Sequence, residues 1–161
     1  MSSLSPPFET VKRLHAELVT RTLTQRRLDD LSAFFTADHK LACELLPAGD
    51  WSGPVGFSRF VSLVLQKLGS PMPTVLAQFA THDKCVTHLS VLAMHTGQLG
   101  PIQPTRRWPT VRAVLYSELR DGKLSATWVQ TDALAVLSRN YAWRVADQAR
   151  GGSAEVFDDP G

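Results

Sequence analysis

VRAVLYSELRDGKLSATWVQTD, residues 111–132, reads as two β-strands joined by a tight turn. Asp121-Gly122 supplies the turn, because glycine tolerates the positive φ that a two-residue hairpin loop demands. Pairing outward opposes Arg120 to Lys123, Leu119 to Leu124, Ser117 to Ala126 and Leu115 to Trp128, and ends with Val111 against Asp132. Side chains alternate along a strand, so one face carries Val111, Ala113, Leu115, Leu119, Leu124, Ala126 and Trp128. That apolar face is expected to look inward, yet it runs out into Gln130 and Asp132. An acid there is costly unless it is partnered or protonated.

Upstream, Thr74–Thr81 and Cys85–Thr96 read as two further strands about a turn at His82-Asp83-Lys84, with Leu89, Val91 and Ala93 on one face with His95. Residues 97–108 form a glycine- and proline-rich loop. Before these strands the period changes. Val55, Phe57, Phe60, Val61, Val64, Leu65 and Leu68 make the broad apolar stripe of a helix, stopped by Gly69. Phe8, Val11, Leu14 and Leu18 predict an earlier helix, reaching to about Thr22, and Leu28, Leu31, Phe34 and Phe35 a short second one. A short strand is expected over His39–Leu46, and a helical segment after Asp132. Helices first and an antiparallel meander after them predict an α+β fold. A curved antiparallel sheet wrapped around the long helix buries both apolar faces and leaves a cavity at its open end. The expected organisation is a flexible arm at 1–7, one domain over 8–149 and a disordered tail at 150–161.

The 161 residues suffice for one domain with a real core. A hydrophobic share of 43% and a charged share of 20% are globular values. The net charge of +2 does not point to nucleic acid. No run approaches the roughly 18 apolar residues of a membrane span. The first residues lack the pattern of a secretory signal, so a cytoplasmic protein is expected. Cys43 and Cys85 sit in apolar segments without metal-ligand spacing, so no metal is expected. Phosphate-loop, dinucleotide, zinc-protease and serine-hydrolase signatures are missing, so no cofactor is expected either.

Asp132 is the first candidate for chemistry, as a general acid or base in an apolar pocket. It also precedes ALAVL and is equally readable as a helix cap; the two roles can coexist. His95 is the second, as a proton shuttle; a core histidine bonded to backbone is the plainer reading. Trp51, Trp108 and Trp128 are candidate pocket walls, although core packing alone explains Trp128. Gln130 shares the Asp132 face. Glu44 lies in too short an alternation to place. His88 and Glu118 fall on the opposite face in this register, which a β-bulge would reverse; they are kept as substrate-binding candidates on that ground.

Four segments together resemble the SnoaL-like polyketide cyclase (ester cyclase) family, of the nuclear transport factor 2-like cone-shaped α+β fold. They are Gly53-Pro54-Val55-Gly56-Phe57 at the long helix, Met94-His95-Thr96-Gly97 at a strand end, Pro104-Thr105-Arg106-Arg107, and Asp121-Gly122-Lys123-Leu124 followed by Trp128 and Asp132. The resemblance implies a cofactor-free protein with a hydrophobic cavity, often a homodimer or homotetramer. It implies a cyclase or isomerase of polyketide-like natural products, with Asp132 as acid/base and His95 beside it. Two departures stand out. The family's loop glycine is Arg106 here, and Glu118 stands where relatives often carry a basic residue or histidine. The function expected is therefore acid/base cyclisation or isomerisation of a hydrophobic small molecule. The alternatives are a non-catalytic binding or assembly module of the same fold, or an epoxide hydrolase-like or dehydratase member.

Overall fold

The computed structural model describes residues 7–150. Apart from Pro7 and Arg150, the expected arm and tail lie outside the described residues. Helix α1 (Pro7–Val19) runs on into a π-helical turn, Thr20–Thr24. A 3-10 turn, Leu31–Ala33, leads into β1 (Phe35–Cys43). Then come α2 (Gly53–Lys67), β2 (Leu68–Ala80), β3 (Lys84–His95), β4 (Thr110–Arg120), β5 (Lys123–Thr131) and α3 (Ala133–Ala149). No described helix is long and apolar enough to cross a membrane.

The five strands form one sheet in the order β1-β5-β4-β3-β2. β2 to β5 are the antiparallel meander the sequence predicts. β1 adds to the edge in parallel with β5, so the sheet is mixed rather than purely antiparallel. The helix expected around Leu28–Phe35 shrinks to its 3-10 turn. Asp30 sits at φ +46° in the left-handed region, which breaks the helix, and Phe35 already belongs to β1. The segment after Asp132 is a full helix rather than a short cap.

Two apolar clusters fill the space between helices and sheet. In one, Leu18, Leu31, Phe34, Phe35, Phe57, Val61 and Leu124 pack together. In the other, Leu89, Val91, Val111, Leu115 and Val129 meet Val19, Leu68 and Leu137. The α2 stripe supplies Phe60 and Val64 to the same cluster. Burying these side chains from both layers is the main stabilisation of such a fold.

The hairpin has the expected turn, with Asp121 at φ +54° and Gly122 at φ +75°. Its register then departs from simple pairing. Leu119 faces Leu124, but Glu118 faces Ala126, leaving Ser125 as the extra residue of a β-bulge. A one-residue shift exchanges the two faces of a strand. Beyond the bulge, Thr127, Val129 and Thr131 lie inward, with Thr127 and Val129 buried. Ala126, Trp128, Gln130 and Asp132 are thereby turned from the inner face on which simple pairing put them. The bulge leaves β4 as predicted, with Val111, Leu115 and Ser117 buried.

Candidate active-site cavity

Inside the cone lies a cavity of about 350 Å³. Leu89, Val91, Val111, Leu115 and Val129 wall it from the sheet, and Phe60, Val61 and Val64 from α2. Leu45-Leu46-Pro47, Gln98-Leu99-Gly100, and Ala133 and Leu137 of α3 also line it. Polar lining is sparse. Thr22 spends its hydroxyl on the Leu18 carbonyl at 2.7 Å, and Gln98 donates to the Gly100 carbonyl at 2.9 Å. Burial pushes the Cys43 thiol up, so it is neutral. Two donors remain. Thr131 Oγ1 accepts the Ala133 N–H at 3.1 Å, which leaves its hydroxyl hydrogen for the cavity. The other is Lys67, a half-buried member of the lining. Among the described residues the lining contains no carboxylate and no imidazole.

One side-chain layer toward the closed end, the inner faces turn polar. Thr87, Ser117 and Thr127 sit two residues along their strands from the cavity residues Leu89, Leu115 and Val129. They join two buried histidines into one chain. His15 Nδ1 meets Thr87 Oγ1 at 2.8 Å and its Nε2 meets Ser117 Oγ at 2.9 Å. Ser117 Oγ meets Thr127 Oγ1 at 2.9 Å, and Thr127 meets His39 Nε2 at 2.9 Å. Gln78 donates to Thr87 at 3.0 Å. Among the described residues His39 Nδ1 has no partner. An orphaned buried acceptor is easier to tolerate than an orphaned donor, which orients every proton in the chain. His39 Nε2–H donates to Thr127, Thr127 to Ser117, and Ser117 to His15 Nε2. His15 Nδ1–H then donates to Thr87. Burial holds both imidazoles neutral, with pKa values lowered from 6.5 to about 4.

The residues singled out by sequence lie elsewhere. Asp132 is exposed and absent from the lining. Its Oδ1 accepts the Arg112 N–H at 2.7 Å, its own N–H donates to the Arg112 carbonyl at 3.1 Å, and its carbonyl receives Val136 N–H at 3.0 Å. It fastens the end of the β4–β5 ladder and begins α3. The expected inward placement of Asp132 is thus corrected, and the Ser125 bulge is the cause. His95 is fully buried but does not line the cavity. Its Nε2–H donates to the Gly97 carbonyl at 2.8 Å, while Nδ1 accepts from the Thr105 N–H at 3.2 Å and lies 3.1 Å from its hydroxyl. Burial lowers its pKa.

None of the expected walls lines the cavity. Trp51 is buried in the 47–51 loop. Its Nε1–H donates to the Pro47 carbonyl at 3.0 Å, and the Arg59 guanidinium lies 4.6 Å from its ring centre. Gly56 lets α2 approach that loop, since a Cβ there would fall 2.2 Å from the Trp51 carbonyl. Trp108 and Glu44 are exposed. Trp128, Gln130, His88 and Glu118 do gather, but on the outer face of the sheet. Trp128 stacks on Tyr116 with centroids 5.1 Å apart, His88 and Gln130 flank Val114 in register, and the Tyr116 hydroxyl donates to Glu118 at 3.3 Å.

Sequence reading missed Lys67 and Thr131. Lys67 follows Phe60 and Val64 at helical spacing, so it occupies a stripe position that is otherwise apolar. Thr131 needed the bulge to be known. Among the described residues no cluster of three or more His, Cys, Asp or Glu is arranged to hold a metal.

The family model described as SnoaL-like polyketide cyclase matches residues 12–139. No curated protein sequence matches the chain. Solved structures share its fold at low identity. TsrD from Streptomyces laurentii is 16% identical with a TM-score of 0.70, over 83% of this chain and 95% of that one. IdmH from Streptomyces antibioticus, described as a proposed polyketide cyclase, is 16% identical with a TM-score of 0.65, over 84% and 98%. A Catenulispora acidiphila protein with a ketosteroid isomerase-like fold, solved with trimethylamine, is 12% identical with a TM-score of 0.62, over 79% and 91%.

Proposed function

The chain belongs to the SnoaL-like polyketide cyclase family, and from that premise we propose that it takes an apolar, polyketide-like small molecule into the cone for a cyclase- or isomerase-type conversion. The observation that carries this reading is the cavity itself, about 350 Å³ walled mostly by aliphatic and aromatic side chains. Such a volume suits a small organic ligand. The walls confine a flexible substrate in a folded conformation, where proximity supplies much of a rate gain. Thr131, whose hydroxyl hydrogen the Ala133 contact leaves unused, can donate to a carbonyl oxygen of the bound substrate. Asp132 holds the strand end and α3 in this account, rather than exchanging protons with substrate.

A neutral fluorescent aromatic, methyl anthracene-2-carboxylate, tests the site. Wild type and Asp132→Asn should bind it equally, because asparagine keeps the Oδ1 acceptor. Val91→Trp, which fills the cavity, should abolish binding. Equal binding by wild type and Val91→Trp would falsify the cavity as the ligand site.

We propose a second copy of the chain as the partner of the outer sheet face. Phe79 is 70%, Met72 53%, Trp128 40% and Leu92 37% exposed there, a sizeable apolar surface for a lone molecule. On β4, Arg112 and Glu118 flank Val114 and Tyr116 on that face, so a two-fold axis between the latter sets each Arg112 toward the other copy's Glu118. Light scattering should give a dimer for wild type and a monomer for Trp128→Glu. A wild-type monomer at tens of micromolar ends this assignment.

A further inference from the structure

Among the described residues the cavity lining includes donors and one cationic residue, Lys67, but no carboxylate. Lys67 is half-buried at the wall, and among the described residues no carboxylate pairs with its ammonium. A cation beside an apolar cavity and without a counter-charge favours an anionic ligand. A neutral carbonyl would leave that charge uncompensated.

The surroundings hold Lys67 in place. Its carbonyl accepts the Thr96 N–H at 2.9 Å and the Gly97 N–H at 3.2 Å. Thr96 also donates its hydroxyl to the Gln66 carbonyl at 3.2 Å. Only glycine fits at position 97, because a Cβ there would lie 2.4 Å from the Gln66 carbonyl oxygen. His95 in turn fixes Gly97 through Nε2 and anchors the returning loop at Thr105 through Nδ1. Met94-His95-Thr96-Gly97 therefore clamps the last turn of α2. This gives His95 a positioning role, acting through the backbone rather than on substrate.

From these contacts we infer that the ligand is an amphiphile, an apolar body carrying an ionised carboxylate that Lys67 binds, with Thr131 as a second donor. The inference rests on the cavity reading above and narrows it to acidic substrates. It makes the class of reaction that supplies the substrate one that releases a free acid, such as hydrolysis of a thioester or ester.

Matched probes separate the two levels. Anthracene-2-carboxylate and its methyl ester share a body and differ in charge. Fluorescence titration of wild type should show the acid binding about tenfold more tightly than the ester. Lys67→Met should remove that preference and leave ester affinity within about twofold. His95→Gln should reduce the preference in part, with the ester again little changed. Val91→Trp, or the milder Val91→Phe if the first misfolds, should weaken both probes together. Equal binding of acid and ester by wild type, or an acid preference that survives Lys67→Met, overturns the carboxylate assignment while leaving the cavity reading intact. Failure of both probes to bind wild type overturns the cavity reading, and this inference with it.

Discussion

Arg106 shows how one residue can depart from a pattern and keep its geometry. The family-like loop places glycine there, and Arg106 still adopts φ +58°, a left-handed conformation that costs a side-chain-bearing residue about 1 kcal/mol. Its N–H donates to the His95 carbonyl at 3.0 Å, so the backbone is held from outside. Arg106→Gly should therefore raise stability by roughly 0.5–1 kcal/mol, since the side chain is exposed and the bond is kept. Urea denaturation measures this, and an unchanged or lower midpoint would refute it. At this scale sequence reading succeeded unevenly. His95 as a histidine bonded to backbone and Asp132 as the start of a helix were both legible as local chemistry. What each side chain faces is set by a neighbouring strand rather than by the residue.

The hairpin makes the same point for whole elements. Its turn, strand lengths and the inner face of β4 follow from alternation and Asp121-Gly122. The faces of β5 do not, because a single extra residue inverts everything after it and leaves no mark in the hydrophobic pattern: Ala126 and Trp128 suit an inner face as well as Val129 does. Deleting Ser125 should remove the bulge and drive Trp128, Gln130 and Asp132 toward the cavity. The expected result is loss of cooperative thermal unfolding by circular dichroism. A deletion variant that melts like wild type would mean that the bulge does not set the register. The helix stripe of α2 was legible because Phe57, Phe60, Val61, Val64 and Leu65 agree on one face, although Val55 is exposed and Leu68 already belongs to β2. Lys67 was overlooked because a single polar member of such a stripe reads as its boundary.

For the molecule as a whole, the polar layer beneath the cavity couples folding to pH. His15 and His39 are held neutral by burial, with pKa values near 4 against 6.5 when free. The unfolded chain therefore binds more protons between these values. Stability is complete above about pH 6.5, falls as pH drops toward 4, and stops falling from this source once the folded rings also protonate. Each ring contributes up to roughly 3 kcal/mol over that window. Denaturation midpoints at pH 7.5, 6 and 5 should decline, and more shallowly in His39→Gln. A flat profile would show that the rings are not neutral and buried. The pairing of β1 with β5 carries a different consequence, for how the chain reaches this state. Leu41 bonds into the sheet beside Thr127, so one of the earliest strands waits for the last. Closing so long a loop is slow. During synthesis β1 emerges long before its partner and presents an open edge until β5 arrives. The last strand is thus also the step that completes the sheet side of the cavity, so a chain halted short of residue 123 holds the α2 stripe and most of the sheet but no closed site.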